Sequence, residues 1–111
     1  MALEKRFDVF FLEKVDKFLE KLSPEEKEEI LAKVREATKS NNPRLFEKLN
    51  KNIWEFRSQY NGRQFRLLAF WDKTQKAFVV ATHGFIKKTQ KTPLQEIEKA
   101  EQIMKRYYQN I

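Results

Sequence analysis

The spacing of apolar residues predicts a short strand followed by two helices in the first part of the chain. The segment KRFDVF at 5–10 resembles a first strand, although its end fits the start of a helix equally well. Across 11–22 the apolar residues recur with the 3.6-residue period of an amphipathic helix. The sequence SPEE at 23–26 predicts a second helix, because serine suits the N-cap, proline the first helical position and glutamate a capping box. The break SNNP at 40–43 ends it, so we expect a helical hairpin.

The apolar period then changes to two, which predicts strands. After a connector at 45–52, residues 54–60 alternate as a strand, and Asn61-Gly62 predicts a two-residue type I′ hairpin turn. The return strand covers 63–71, with Phe65, Leu67 and Ala69 on one face and Arg66 and Leu68 on the other. A third strand at 77–86 has an unbroken apolar run, which favours an interior position in the sheet.

A last helix follows, and its start repeats the pattern seen at residue 23. Thr92 is predicted as its N-cap, and its apolar stripe is formed by Leu94, Ile97, Ala100, Met104 and Tyr108. The predicted order is therefore β-α-α-β-β-β-α, an antiparallel sheet with a helical hairpin and a C-terminal helix on one side, of the α+β class. We expect one domain over 1–111.

Composition excludes several classes of chemistry. The chain has no cysteine, which rules out disulfides, thiolate metal sites and cysteine nucleophiles. With a single histidine it lacks a histidine-rich metal site and a paired-histidine acid–base mechanism. No apolar run approaches the roughly 20 residues of a membrane span, and the N-terminus has no signal-peptide pattern. We therefore expect a soluble, cytoplasmic protein without a metal, cofactor or membrane partner.

The net charge of +7 is confined to residues 51–93. This segment holds nine Lys and Arg against only Glu55 and Asp72, whereas residues 1–50 carry 11 of each sign and residues 94–111 carry three of each. Because the same segment is predicted to form strands, the charge lies on an ordered sheet. A concentrated basic face of this kind indicates a polyanionic partner, nucleic acid first.

Arg57, Arg66 and the Lys87-Lys88 pair come from three consecutive predicted strands. Neighbouring strands lie about 4.8 Å apart, so these side chains can converge on one phosphate. A metal-free ribonuclease needs phosphate stabilisation, which arginines supply, and proton transfer, for which a lysine among other cations is suited. The same pattern also fits a solvated basic face without specific function, or nucleic-acid binding without chemistry.

Four further residues are candidates for supporting roles. By alternation His83 shares a face with Lys87 and is either a proton carrier or a packed structural histidine. Tyr108 is either an acid–base or stacking residue, or part of the apolar stripe of the last helix. Arg63 and Lys91 are predicted as outer RNA contacts.

Residues 6–108 resemble the RelE/HigB superfamily of bacterial type II toxins, in particular its phage-derived branch. The family's Trp-Glu-aliphatic-Arg motif is matched at 54–57, with Phe56 in the aliphatic position. The other matching motifs are aromatic-Arg at 65–66 and Phe-x-Lys-Lys-Thr-x-Lys-Thr-Pro at 85–93, before a helix with Glu96, Ile97 and Ala100. The resemblance implies a ribonuclease that cuts mRNA, often on the ribosome, through 2′-hydroxyl attack that leaves a 2′,3′-cyclic phosphate. It also implies a neighbouring antitoxin, typically a helix-turn-helix DNA-binding protein.

Family members use sheet-face Arg and Lys residues for catalysis, so the resemblance assigns that role to Arg57, Arg66, Lys87 and Lys88. Some members add a C-terminal tyrosine or histidine as acid or base. ParE-type members of the superfamily inhibit DNA gyrase without cleaving RNA. Gyrase inhibition and non-catalytic nucleic-acid binding are therefore the alternative functions.

Overall fold

The computed structural model describes residues 4–110, and this part of the chain contains five strands and three helices. All five strands belong to one sheet in the order β1-β5-β4-β3-β2. The elements are β1 (Asp8–Phe11), α1 (Glu13–Glu20), α2 (Pro24–Thr38), β2 (Phe46–Lys48), β3 (Trp54–Tyr60), β4 (Arg63–Trp71), β5 (Phe78–Lys87) and α3 (Leu94–Gln109). The predicted α+β class, the helical hairpin and the C-terminal helix are confirmed.

The consecutive strands β3, β4 and β5 are antiparallel, as predicted, but the sheet as a whole is mixed. β1 pairs with β5 in the parallel direction, with Val9 opposite Val79, whereas all other neighbouring strands are antiparallel. The apolar pattern of a strand shows which face is buried but carries no information about its partner. β5 lies between β1 and β4, which confirms its predicted interior position.

The predicted connector at 45–52 contains the short strand β2. Phe46 lies opposite Phe56 on β3, and their rings stack with centroids 4.3 Å apart. Phe46 also stacks on Trp54 at 4.9 Å. Three residues are too few for alternation to be recognised, so cross-strand aromatic packing defines this strand instead.

Helices cover both faces of the sheet, which corrects the prediction that they lie on one side. The side chains of α1 and α2 pack in one core with Phe65, Leu67 and Ala69 of β4. Ala100 of α3 packs in a second core with Leu68 and Phe70, which point to the opposite face of the same strand. Strand β4 is apolar on both faces along this half, and burial of the second face requires a helix there.

The predicted turn chemistry is confirmed between α1 and α2 and between β3 and β4. Ser23 Oγ accepts a hydrogen bond from the backbone N–H of Glu26 at 3.1 Å, and the glutamate side chain accepts one from Ser23 N at 3.0 Å. Asn61 and Gly62 both have positive φ, 49° and 79°, as a type I′ turn requires. Within residues 4–110, no helix combines the length and the apolar character needed to span a membrane.

Candidate nucleic-acid interface

The face of the sheet that carries α3 is covered at one end and open at the other. Leu68 and Phe70 lie beneath the helix. Toward the other end, Arg57 of β3 lies opposite Arg66 of β4, and Lys87 of β5 lies opposite Gln64 of β4. The structure therefore brings Arg57, Arg66 and Lys87 together from three adjacent strands.

Two of them, Arg57 and Lys87, border an open cleft of about 900 Å³, whereas Arg66 is not part of its lining. Arg57, Gln64, Lys87 and Lys88 line it, together with Arg63 at the start of β4. The guanidinium of Arg63 donates to Glu26 Oε2 at 2.8 Å and lies 5.6 Å from the centre of the Phe65 ring. Arg63 is thus held at the rim by α2, where it adds positive charge from a fixed position.

Arg66 is almost completely buried, with 3% of its surface exposed. Its Nη1 donates to the carbonyl of Phe65 at 2.9 Å, and its Nη2 donates to Gln64 Oε1 at 3.0 Å. Burial lowers the pKa of Arg66, and the neighbouring carboxylate of Glu55 partly offsets this effect. The sequence predicts a phosphate-facing arginine here, whereas the structure places its charge beneath the cleft floor.

Glu55 is the central residue of this floor, and the sequence analysis did not single it out. Its buried carboxylate lies 3.6 Å from Arg66 Nε and 3.7 Å from Arg57 Nε. Arg57 also pairs with the exposed Glu47 at 3.2 Å. Strand alternation could have identified it. It places Glu55 on the same face of the sheet as Arg57 and Arg66, where a single glutamate can pair with both arginines.

Thr92 connects this floor to the loop that follows β5. Its hydroxyl donates to Glu55 Oε1 at 2.5 Å. The prediction that Thr92 caps α3 is wrong, since the helix begins at Leu94 after Pro93 at the N-cap position, without a side-chain cap. The threonine hydroxyl donates to the buried carboxylate of Glu55 instead of capping the helix. In the same loop, Lys91 lines a smaller hollow of about 320 Å³, together with Arg57 and Lys87.

Lys87 has a perturbed environment suited to proton transfer. Partial burial lowers its pKa, and the positive charges of Arg66 and Arg57 lower it further, while Glu55 acts in the opposite direction. A lysine whose pKa lies closer to neutrality has a larger uncharged fraction at physiological pH. Lys88 follows the last residue of β5 and lines the same cleft.

His83 lies on the same sheet face but outside this cluster. Its Nε2 is 2.9 Å from Glu96 Oε1 on α3, and its Nδ1 is 3.0 Å from Thr82 Oγ1. Four residues separate it from Lys87 on one strand, which corresponds to about 13 Å. The contact with Glu96 connects β5 to α3. Burial lowers the pKa of His83, and the hydrogen bond with Glu96 opposes this effect.

Tyr108 also lies away from the basic cluster. Its hydroxyl accepts from the backbone N–H of Lys73 at 2.9 Å and donates to the carbonyl of Trp71 at 3.3 Å. The neighbouring Tyr107 donates to Asp72 Oδ2 at 2.5 Å. Both tyrosines therefore fix the C-terminal end of α3 on the turn between β4 and β5.

Within residues 4–110, no group of three or more histidine or acidic side chains is placed to hold a metal ion. The groups that converge at the open end of the sheet are cations, amides and one buried carboxylate. Such an arrangement can bind an anionic phosphodiester and supply one proton carrier, Lys87.

Comparison with known proteins identifies a family for most of the chain. Residues 17–105 match the family model described as phage-derived protein Gp49-like (DUF891), a span that includes Glu55, Arg57, Arg66 and Lys87. No curated protein matches the sequence. Because the matched span is well over half of the 111 residues, the chain belongs to the Gp49-like family of phage-derived proteins, a toxin-like family associated with toxin–antitoxin systems.

Proposed function

We propose that this protein is the toxin of a type II toxin–antitoxin system and that it acts as a metal-independent mRNA endoribonuclease of the RelE/HigB type. Membership of the Gp49-like family supports the toxin assignment. Arg57 and Lys87 line an open cleft, and the buried Arg66 lies on the strand between them. This convergence of three cations from adjacent strands is the observation that supports the nuclease assignment.

The proposed reaction is attack of a ribose 2′-hydroxyl on the adjacent phosphorus. The P–O bond to the 5′-oxygen breaks, and the products are a 2′,3′-cyclic phosphate and a 5′-hydroxyl. One proton leaves the 2′-oxygen and one reaches the departing 5′-oxygen. Arg57 binds the phosphate oxygens through its planar fork, and Lys87 carries one of the two protons.

Arg66 contributes to this proposal through its charge. Both of its Nη atoms already donate to protein oxygens, so its buried guanidinium acts on the cleft through the low-dielectric floor. It also favours the neutral form of Lys87. Lys88 and Arg63 line the cleft, Lys91 lines the smaller hollow beside Arg57, and all three add electrostatic attraction for the RNA backbone.

The proposed partners follow from the toxin assignment. They are mRNA on the ribosome, in the cytoplasm, and a cognate antitoxin that is a helix-turn-helix DNA-binding protein. An open reading frame for such a protein beside the gene would support the assignment, and its absence would weaken it.

Controlled expression of the full chain tests the proposed function. We expect growth and translation to stop, with new 5′ ends inside translated mRNAs, and we expect Lys87→Ala to abolish both effects. Lys76→Ala is the matched control, because it removes an exposed lysine of the same basic segment outside the cleft. DNA breaks with trapped gyrase and intact mRNA would instead support a ParE-like inhibitor, and harmless expression would support a plain nucleic-acid-binding module.

A further inference from the structure

A second basic hollow, of about 380 Å³, shares Arg57 and Gln64 with the cleft. Four cationic side chains line it, Lys33, Arg44, Arg57 and Arg66, and its described lining contains no acidic residue. Two of these residues, Lys33 and Arg44, come from outside the basic segment that the sequence analysis identified. The hollow is therefore a separate concentration of positive charge that the proposed active cleft does not account for.

The hollow exists because strand β2 is short. β2 pairs with β3 only as far as Phe56, and the backbone N–H of Arg57 donates to the carbonyl of Leu45 at 2.9 Å. Beyond this point the edge of β3 at Ser58 and Gln59 has no strand beside it within the described residues. Arg44 precedes Leu45 and is held next to this open edge.

Arg44 and Lys33 can both bind an anion in the hollow, because neither is held in a strong ion pair with a carboxylate of the described residues. Within residues 4–110, the side chain of Arg44 has no carboxylate at ion-pair distance, and the residue is exposed. Lys33 has only long surface pairs, 3.7 Å to Glu29 and 3.5 Å to Glu36, which a phosphate can replace at little cost.

Arg66 adds a buried charge to the wall of this hollow. Its Nε is buried and has no hydrogen-bond partner. The buried carboxylate of Glu55 lies 3.6 Å from this Nε and offsets part of the charge, so Arg66 contributes less to the hollow than an unpaired arginine would.

We propose that this hollow is a second phosphate subsite, which binds a backbone phosphate of the same single-stranded RNA next to the one in the cleft. Arg57 and Gln64 line both spaces, so a strand that crosses the open edge of β3 has phosphates on both sides of Arg57. The inference rests on the proposed RNA substrate. It assigns Arg44 and Lys33 to RNA binding and gives them no part in the chemical step.

Salt-dependent binding of an uncleavable RNA tests this proposal without relying on cleavage. The probe is a short single-stranded RNA with 2′-O-methyl riboses, and its affinity for the full chain is measured by fluorescence anisotropy over a range of KCl concentrations. On single strands each phosphate contact contributes about −0.7 to the slope of log affinity against log salt. We expect Arg44→Ala to reduce the size of the slope by about 0.7 and Lys33→Ala to reduce it in the same direction.

Two control variants remove matched charges elsewhere. Arg106→Ala removes an exposed arginine at the end of α3, and Lys17→Ala removes a helical lysine that pairs with Glu13 as Lys33 pairs with Glu29. Both are expected to keep the wild-type slope. If both Arg44→Ala and Lys33→Ala bind RNA normally with an unchanged slope, the second phosphate subsite is overturned while the proposed function is not. An acidic protein segment would then be the alternative ligand of the hollow. Failure of the wild-type chain to bind the probe overturns the proposed function as well.

Discussion

The hydroxyl of Thr92 donates a hydrogen bond of 2.5 Å to the buried carboxylate of Glu55. This contact joins two parts of the basic face that are 37 residues apart in the chain. The same carboxylate lies within 4 Å of both Arg57 and Arg66. One glutamate therefore holds the cleft floor and the loop that carries Lys88 and Lys91.

Glu55→Gln is expected to destabilise the fold by about 3 kcal/mol, because it leaves the buried guanidinium of Arg66 without a counter-ion. Urea unfolding with the midpoint and slope compared with wild type measures this change. Glu47→Gln is the matched control, since Glu47 also pairs with Arg57 but is 48% exposed, and it is expected to cost less than about 1 kcal/mol. Equal losses in the two variants would contradict the central role of Glu55.

The hydrogen bond between Tyr107 and Asp72 predicts two pH limits for stability. Burial alone would raise the pKa of Asp72, but hydrogen bonds from Thr74, Tyr107 and Gln75 lower it from 3.8 to about 2. Burial and the bond to Asp72 raise the pKa of Tyr107 from 10.0 to about 12. By linkage, the contribution of Asp72 is lost as the pH falls from 3.8 toward about 2, and that of Tyr107 is lost as the pH rises from 10.0 toward about 12.

Urea midpoints measured across pH for wild type and Tyr107→Phe test this linkage. The variant is expected to be less stable near neutral pH and to lose the alkaline fall in stability that Tyr107 causes. The acid fall in stability should weaken, because the Tyr107 hydrogen bond that lowers the pKa of Asp72 is lost. It should not disappear, because Thr74 and Gln75 still donate to Asp72. Tyr60→Phe serves as the control, and an identical alkaline fall in wild type and Tyr107→Phe would contradict the assignment.

Lys87→Arg separates charge from proton transfer. Arginine keeps the positive charge but stays protonated at all accessible pH values, so RNA affinity should remain within a few-fold of wild type. Cleavage should fall by about 10²- to 10⁴-fold, with loss of the pH dependence that the lowered pKa of Lys87 produces. The measurement is the rate of cleavage against pH, with Lys76→Arg as the control. A variant that cleaves at the wild-type rate would remove Lys87 from the proton-transfer role.

His83→Ala tests whether the histidine is structural. The variant loses contacts to Glu96 and Thr82, so we expect a loss of about 2 kcal/mol in unfolding free energy. Cleavage by the fraction that remains folded should match wild type. If the folded variant binds RNA but does not cleave it, His83 takes part in the reaction despite its distance from Lys87.

Strand alternation was sufficient to predict which residues share a sheet face. It placed Arg57, Arg66 and Lys87 on one side because side chains on a strand alternate with a fixed period of two. It did not reveal the parallel partner of β1, because pairing direction depends on where the chain returns after the helices. The only sequence feature that indicated the second core beneath α3 was the apolar pair Leu68 and Phe70, which lies on the same face of β4 as Arg66.

The burial of Arg66 and the contact of Thr92 were beyond sequence reasoning for a different reason. Both depend on Glu55, which joins residues far apart in the chain. Local patterns favoured an exposed arginine and a capping threonine, and the tertiary contact with a buried carboxylate outweighed both tendencies.

The most direct test of the account is to map RNA ends in a cell-free translation reaction that contains one mRNA and the purified chain. We predict new breaks within the translated region, each with a 2′,3′-cyclic phosphate on the upstream fragment and a 5′-hydroxyl on the downstream fragment. Lys87→Arg should produce at least about 100-fold fewer breaks. Intact mRNA in the wild-type reaction, or breaks that carry 5′-phosphates, would contradict the account.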